Sequence, residues 1–380
     1  MKKILIISFS PVSTDPRVMR QIDLLKDTYD LTVVGYGETP YKELNYIKLS
    51  PQKKSYPHKV FNASLLVGRF FEHFYWSDFS VKFTLKSLLH KKFDCVIAND
   101  INTLPLALKI SMNRPVFLDS HEYTPKEFED RFLWRLLFTK YYEYICKKYL
   151  SKVSAMSTVC QGIANEYQKN FSVEPIVVLN APEYKELSPA KVEKNTIRLI
   201  HHGAAITSRK IELMIEMLQY LDSRFTLDLM LVDNSPGYLS ALKKIAHNNP
   251  RVRFREPVAM KFISTEINNY DIGIFLLPPV NLNYKFALPN KFFEFIQARL
   301  AIAIGPSEEM ASIVTQYGIG VISNDFSPKH MAMALNDLSS EQIANMKNAS
   351  AKAARELNAH SAKKLILSTV QRLIAGNDKC

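Results

Sequence analysis

The sequence predicts an α/β protein made of two similar halves, each organised around a parallel sheet. Three observations predict it. Short β-rich runs alternate with longer helical patterns in both halves, which is the signature of parallel βαβ units. The alternation lapses once, at 181–195, into a polar stretch broken by two prolines, the best candidate for a passage between halves. Finally, 380 residues of which 47% are hydrophobic suffice for two cores of ordinary size.

In the first half, Ile4 to Ile7 reads as a buried strand, followed by a helix from Arg17 to Lys26 and a strand from Leu31 to Val34. Cys95 to Ile97, Val116 to Leu118, Val153 to Met156 and Ile176 to Leu179 read as further strands, with a helix from Leu104 to Ile110. The second half starts with a strand at Ile197 to Ile200 and a helix from Ile211 to Leu221. Strand patterns follow at Leu227 to Val232, Val252 to Phe254, Asp271 to Leu277 and Ala301 to Ile304. Gln342 to Ile374 reads as helical with little interruption. Two such halves imply a cleft between them.

Composition narrows the function. The 49 Lys and Arg outnumber 37 acidic residues, a formal net charge of +12, which favours an anionic partner. No zinc-finger, basic-zipper or RNA-binding signature accompanies the charge, so nucleic acid is not expected. Cys95, Cys146, Cys160 and Cys380 contain no C-x-x-C pair, so neither a disulfide scaffold nor a sulfur metal site is expected. The opening run is too short and lacks the cleavage site of a signal peptide, and no stretch approaches the roughly 20 apolar residues that span a bilayer. A cytoplasmic protein is the simplest expectation.

Residues 68–92 and 126–152 differ from the rest. Trp134, Phe138, Tyr141, Ile145 and Tyr149 form one helical stripe, surrounded by Arg131, Arg135, Lys140, Lys147, Lys148 and Lys152. Two readings stay open: a helix packed on the sheet with a solvated basic back, or an interfacial helix resting on anionic lipid.

The most informative segment is Leu-Pro-Asn-Lys-Phe-Phe-Glu-Phe at 288–295, which places a lysine and a carboxylate in the first turns of a helix between two strands. Pro289 suits a helix start and Asn290 reads as its cap. Lys291 and Glu294 share a face. Upstream, Gly203 offers close backbone approach, and Arg209 and Lys210 precede a helix whose N-terminus can take a phosphate. Glu294 fits a phosphate poorly but matches a ribose diol, accepting from both hydroxyls. The combined picture is a nucleotide diphosphate. In the first half, Asp15 is as suited to capping a helix as to holding a ligand, Arg17 is a clamp for paired oxygens, and Asp-Ser-His-Glu at 119–122 puts a titratable histidine, His121, beside acids at a strand end. No zinc spacing occurs, and the adjacent His201 and His202 cannot readily turn to one ion.

Six pieces in this order resemble the family 4 glycosyltransferases of bacterial surface-glycan assembly, of the GT-B fold. They are Asp15 to Val18, Asp119 to Glu122, Val178 to Pro182, Gly203 to Lys210, Pro289 to Glu294 and Ala301 to Gly305. The resemblance covers nearly the whole chain. It implies two Rossmann-like α/β/α domains facing across a cleft, with the C-terminal helix crossing back to the N-terminal domain. Residues 1–185 would bind the acceptor, 196–355 the nucleotide sugar, and 356–380 would form the returning helix. The implied activity is transfer of a sugar from a nucleotide diphosphate sugar to a hydroxyl of a glycan or lipid-linked acceptor, with retention of configuration. His121, Arg209 and Lys210 would serve the reacting groups, Lys210 resembling the family's phosphate-contacting lysine. Gly203, Glu256, Val258, Asn290, Lys291 and Glu294 would hold the nucleotide, the loop at Glu256 to Val258 lining the base. No metal or tightly bound cofactor is implied. Peripheral contact with an anionic membrane is a further expectation.

The chain departs from the family at Ala204 and Phe286, where arginine and glutamate are common, and at Asp233 in place of a glycine. A GT-B sugar-nucleotide epimerase and a non-catalytic sugar-nucleotide-binding protein are the alternatives.

Overall fold

A computed structural model describes residues 1–52 and 55–377. Cys380 and the end of the expected 356–380 segment lie outside the described residues. The chain divides into two compact units, one comprising Met1–Leu179, Asn281–Asn283 and the chain from Ala362 onward, the other Asn180–Val280 and Tyr284–Ser361.

The first unit holds a parallel sheet of β1 (Lys3–Pro11), β2 (Asp30–Tyr36), β3 (Asn45–Leu49), β4 (Cys95–Asn99), β5 (Val116–Asp119), β6 (Ala155–Thr158) and β7 (Ile176–Val177), in the order β3-β2-β1-β4-β5-β6-β7. β1 and β4 are continuous apolar runs because helices cover both faces of a parallel sheet. Asp15 caps the Pro16–Leu25 helix, accepting from the Arg17 amide at 3.0 Å, with Pro16 at the first helical position. The final helix, Ala359–Asn377, inserts Ala362, Ile366, Val370 and Ile374 into a core with Ile4, Ile6, Val33 and Cys95.

The second unit holds β8 (Ile197–Ala205), β9 (Phe225–Asp233), β10 (Val252–Arg255), β11 (Ile272–Phe275), β12 (Ala301–Ile304) and β13 (Gly320–Ile322), all parallel, in the order β10-β9-β8-β11-β12-β13. In each sheet the order reverses beside the first strand, between β1 and β4 and between β8 and β11. Ligands of open α/β sheets lie beyond the carboxyl ends of strands at such a point.

Several elements differ from expectation. β3 and β13 were not anticipated, since edge strands are short and half-buried and carry little alternation. The helix expected over Ile211 to Leu221 is a short helix, Glu212–Glu216, tightening into a 3-10 turn at Met217–Gln219. The C-terminal helical run is broken into Ser340–Ala353 and Ala359–Asn377. Asn358 makes the break: its Nδ2 donates to the Ala354 and Arg355 carbonyls at 3.2 and 2.8 Å, and its Oδ1 accepts from the His360 amide at 2.9 Å. The 181–195 stretch has no regular structure and is anchored by the buried Arg299, which donates to the carbonyls of Lys185 and Leu187.

Candidate functional site

The second unit's site is assembled at the reversal point from the end of β8, the end of β11 and the helix Asn290–Gln297. That helix starts one residue earlier than a cap at Asn290 implies. Pro289 occupies the capping position at ψ 158° with no side-chain cap, and Asn290 is the first helical residue rather than the cap. Proline offers no side-chain acceptor, so the first amides stay available to an anion.

One turn in, Lys291 and Glu294 are both buried, at 5% and 6% exposure, which no helix-surface reading of the motif anticipates. The Lys291 Nζ lies 3.2 Å from His201 Nε2 and 4.4 Å from the centre of the Phe275 ring. His201 Nδ1 is 2.9 Å from the Ile274 carbonyl. Its proton therefore sits on Nδ1 and leaves Nε2 as an acceptor for an N–H of Lys291. Gly203 adopts φ +117°, and a Cβ there would meet Lys291 Nζ at 3.3 Å. The glycine is thus required twice, for its conformation and for the space the lysine occupies. Arg209 closes the group, donating from Nη1 to the Ala204 carbonyl at 3.0 Å.

Burial dominates the electrostatics. It drives the Lys291 amine well below its ordinary value, with the Arg209 charge acting in the same direction and Glu294 opposing. Burial likewise pushes the Glu294 carboxyl up to about 7, against the pull of Lys291. His202 is driven down to about 3 by burial and by Lys291 and Arg209, so it is neutral. Its Nε2 stands 3.4 Å from Glu294 Oε2 without hydrogen-bond alignment, a buried polar atom with no hydrogen-bond partner among the described residues. Such orphans are rare, and here one faces a carboxyl beside Lys291 and Arg209. The arrangement holds positive charge in reserve for an anion.

The remaining nucleotide-side residues spread outward. Lys210 follows the 3-10 turn Thr207–Arg209 in a left-handed conformation at φ 51°, half-exposed, with Nζ 3.9 Å from Glu212 Oε1. Glu256 is exposed and Val258 half-buried in the loop after β10. Lys285 is paired with Glu308 at 3.3 Å. The geometry gathers Gly203, Arg209, Lys291 and Glu294. It adds His201 and His202, whose adjacency had suggested only that they could not share an ion.

The helix can reach β11 because Gly273 has no side chain: a Cβ would stand 2.3 Å from Phe295 Cγ. Gly273→Ala is expected to cost about 1 to 3 kcal/mol through overpacking. A guanidinium unfolding midpoint unchanged from wild type would show that the helix shifts freely.

The first unit gathers a second polar group at its own reversal point. His121 Nε2 lies 3.1 Å from Asp119 Oδ2, and its amide donates to Asp100 Oδ1 at 3.3 Å. Asp119 also accepts from Gln21 Nε2 and Ser157 Oγ, both at 2.7 Å. Burial raises its pKa, but the charge and hydrogen bond of His121, the Ser157 hydroxyl and the Arg17 charge outweigh burial and hold it well below the carboxylate range. Arg17 is an internal clamp here, 3.1 Å from Asp15 and 3.4 Å from Asp100. Asp100 went unmarked in the sequence, yet it adopts φ 64°, ψ 158°, a region reached almost only by glycine. Among the described residues, no group of three or more His, Cys, Asp or Glu is placed to hold a metal ion.

No family model matches the sequence, and a search of curated proteins returns no match. Solved structures do match over the whole chain. Sucrose-phosphate synthase from Thermosynechococcus elongatus aligns over 99% of this chain and 100% of its own, with TM-score 0.74 at 10% identity. Anabaena HepE in complex with UDP-glucose covers 98% and 100%, with TM-score 0.70 at 15% identity. WaaG, described as a glycosyltransferase involved in lipopolysaccharide biosynthesis, covers 96% and 98%, with TM-score 0.65 at 12% identity. With two parallel α/β sheets, a returning C-terminal helix and end-to-end alignment to such structures, the chain has the GT-B fold.

Proposed function

We propose that this protein is a glycosyltransferase that moves a sugar from a nucleotide diphosphate sugar to a hydroxyl of a glycan or lipid-linked acceptor, with retention of configuration. The observation that carries the reading is the corner that the buried Lys291 and Glu294 form with Gly203 and Arg209 at an uncapped helix start. A diphosphate entering it meets the first helix amides, Arg209 and an amine whose charge burial has suppressed. Lys210 is the solvent-side phosphate contact, and Asn290 stands at the helix mouth. Glu294 takes the ribose diol, while the loop at Glu256 and Val258 lines the base. HepE, solved with UDP and with UDP-glucose, supports a uridine nucleotide as the first donor to test.

Chemically, the departing diphosphate gains negative charge as the sugar–oxygen bond breaks. Positioned donors stabilise that charge most strongly in a site from which water is excluded. In the first unit His121, oriented by Asp119, positions the transferred sugar; the acceptor oxygen bonds to the anomeric carbon as the bond to the diphosphate breaks, and the hydroxyl proton passes to the departing diphosphate oxygen. The fold and the basic aromatic face are compatible with a cytoplasmic enzyme that works at the membrane surface in surface-polysaccharide synthesis.

The test is turnover of UDP-, GDP- and ADP-glucose with and without glycolipid extract. Acceptor-dependent release of the nucleotide diphosphate is expected. Inversion of the sugar without acceptor would replace this reading with an epimerase, and nucleotide binding without turnover would leave a binding protein. Lys291→Met should weaken donor binding about ten- to a hundredfold, the range for a charge-assisted hydrogen bond. Wild-type affinity in this variant removes Lys291 from the site.

A further inference from the structure

The aromatic residues of the helix Phe132–Tyr149 in the first unit divide into two sets. Tyr141, Ile145 and Tyr149 are buried, the Tyr141 ring centre lying 5.8 Å from that of Phe71 and 5.1 Å from that of Phe74. This set is packing. Trp134, Phe138 and Tyr142, each four residues from the next and therefore on one side of the helix, are only half-buried. Their ring centres are 6.1 Å apart for Trp134 and Phe138, 6.0 Å for Trp134 and Tyr142 and 6.3 Å for Phe138 and Tyr142, with planes within 30° of parallel. A column of rings would hold its outer two much farther apart than its neighbours, so these rings tile one patch.

The polar groups of this patch lack protein partners. Among the described residues, the Trp134 indole N–H, the Tyr142 hydroxyl and the half-buried Glu127 carboxyl make no hydrogen bond or ion pair. Tryptophan and tyrosine normally satisfy these groups when they are buried. Trp76 does, donating to Glu72 at 2.8 Å. The acids that follow Glu127 are matched as well: Glu129 accepts from the Leu282 amide at 2.8 Å and Asp130 from Asn281 Nδ2 at 3.1 Å, both in a segment of the same unit.

Asp100 ties the patch to His121. Its carboxyl accepts from the His121 amide at 3.3 Å, and its backbone holds the glycine-like conformation described above, a strain of the kind kept at functional sites. Burial and the Asp100 charge push the Glu127 carboxyl up to about 7, against the pull of Arg17. Burial, with the Glu127 and Asp100 charges behind it, pushes the Tyr142 hydroxyl far up, so it keeps its proton and can donate. Arg17 is already held by Asp15 and Asp100, and at Glu127 the Asp100 charge outweighs it, which disfavours an anionic ligand.

A pyranose matches this set. Its C–H face packs on aromatic rings, and its hydroxyls both donate and accept, so one sugar can accept from tyrosine and tryptophan while donating to a carboxylate. An alkyl chain would leave all three polar groups unpaired, and a phosphate would face Glu127 and Asp100.

We propose that the acceptor is an uncharged saccharide, whose terminal pyranose lies on Trp134, Phe138 and Tyr142 and bonds through its hydroxyls to Glu127, Tyr142 and Trp134, beside His121. The proposal rests on the glycosyltransferase reading and narrows its acceptor to a sugar hydroxyl. Its residues belong to the first unit, whereas those assigned to the donor belong to the second, so the two readings fail separately.

Saturation-transfer NMR on the full chain without donor, irradiating protein aromatic protons, tests it with the methyl glycosides of glucose, galactose, mannose, rhamnose and N-acetylglucosamine, and with methyl glucuronide. At least one neutral glycoside should receive saturation at its ring C–H protons and titrate to a dissociation constant. Tyr142→Phe keeps the ring and removes the hydroxyl, and Glu127→Ala removes the carboxyl. Each should weaken that glycoside about three- to tenfold, the range for one hydrogen bond. Because no protein group loses a bond, both variants should melt at or above the wild-type temperature. Trp134→Ala should weaken it at least as far, and UDP-glucose affinity should be the same in all four proteins. Absence of transfer to every neutral glycoside overturns the proposal, as does wild-type glycoside affinity in both Tyr142→Phe and Glu127→Ala. Tighter binding of methyl glucuronide than of any neutral glycoside would replace the uncharged sugar with an acidic one. A wild type that binds a neutral glycoside through these residues but no nucleotide sugar would sink the donor reading and leave the saccharide site standing.

Discussion

Glu294→Gln is expected to stabilise the ligand-free protein at pH 8 while weakening nucleotide-sugar binding by about tenfold or more. Both effects follow from one buried carboxyl whose pKa burial has raised from 4.5 to about 7. The folded protein then binds more protons than the unfolded chain between these values. Stability is full below the unfolded pKa and falls as pH rises through the folded one. The ionised group costs up to about 3 kcal/mol at pH 8, and glutamine removes that cost. An amide, however, has one acceptor oxygen where the carboxylate has two, so it cannot accept from both hydroxyls of a ribose. Wild-type donor binding should accordingly strengthen as pH rises from 6 to 8, and that dependence should flatten in the variant. Melting temperatures at pH 5 and pH 8, with calorimetric titration of UDP-glucose, check both halves. A variant of unchanged affinity ends the ribose assignment, and one that is no more stable at pH 8 than wild type shows that Glu294 remains paired.

The largest loss of stability is expected at Asp119→Ala, about 3 to 5 kcal/mol, the cost of removing one partner from a buried charged network. Gln21, Ser157 and His121 all donate to this carboxylate inside the first unit and would lose their acceptor together. Because the folded pKa is depressed, the sign is opposite to that at Glu294. The contribution is present above the unfolded value and lost as pH falls through the folded one, in strong acid. Denaturant unfolding at pH 7 and pH 3 should show a large loss that narrows at the lower pH. A loss below about 1 kcal/mol at pH 7 would mean that Asp119 does not organise this end of the sheet.

Much of the fold was legible because parallel strands covered on both faces must be apolar throughout. Ile4 to Ile7, Cys95 to Ile97 and Ala301 to Ile304 announce themselves without reference to their neighbours. Edge strands carry no such demand, and β3 and β13 passed unnoticed. Asn358 was hidden in a helical pattern because its capping bonds run to carbonyls whose availability depends on where the helix stops. At the sites, motif residues were legible as types at strand ends and helix starts. Asp100, whose importance lies in its backbone conformation, left no mark in the sequence.

By itself, the sequence determined the two α/β halves, the polar passage between them and the Lys291–Glu294 pair at a helix start, since these depend on periodicity, proline placement and local spacing. Only the tertiary structure decided that the pair is buried against His201, His202 and Gly203, which turns a surface ion pair into two carriers of suppressed charge. Desolvation depends on what surrounds a group in space, and the residues that bury Lys291 come from strands 16 to 90 positions away.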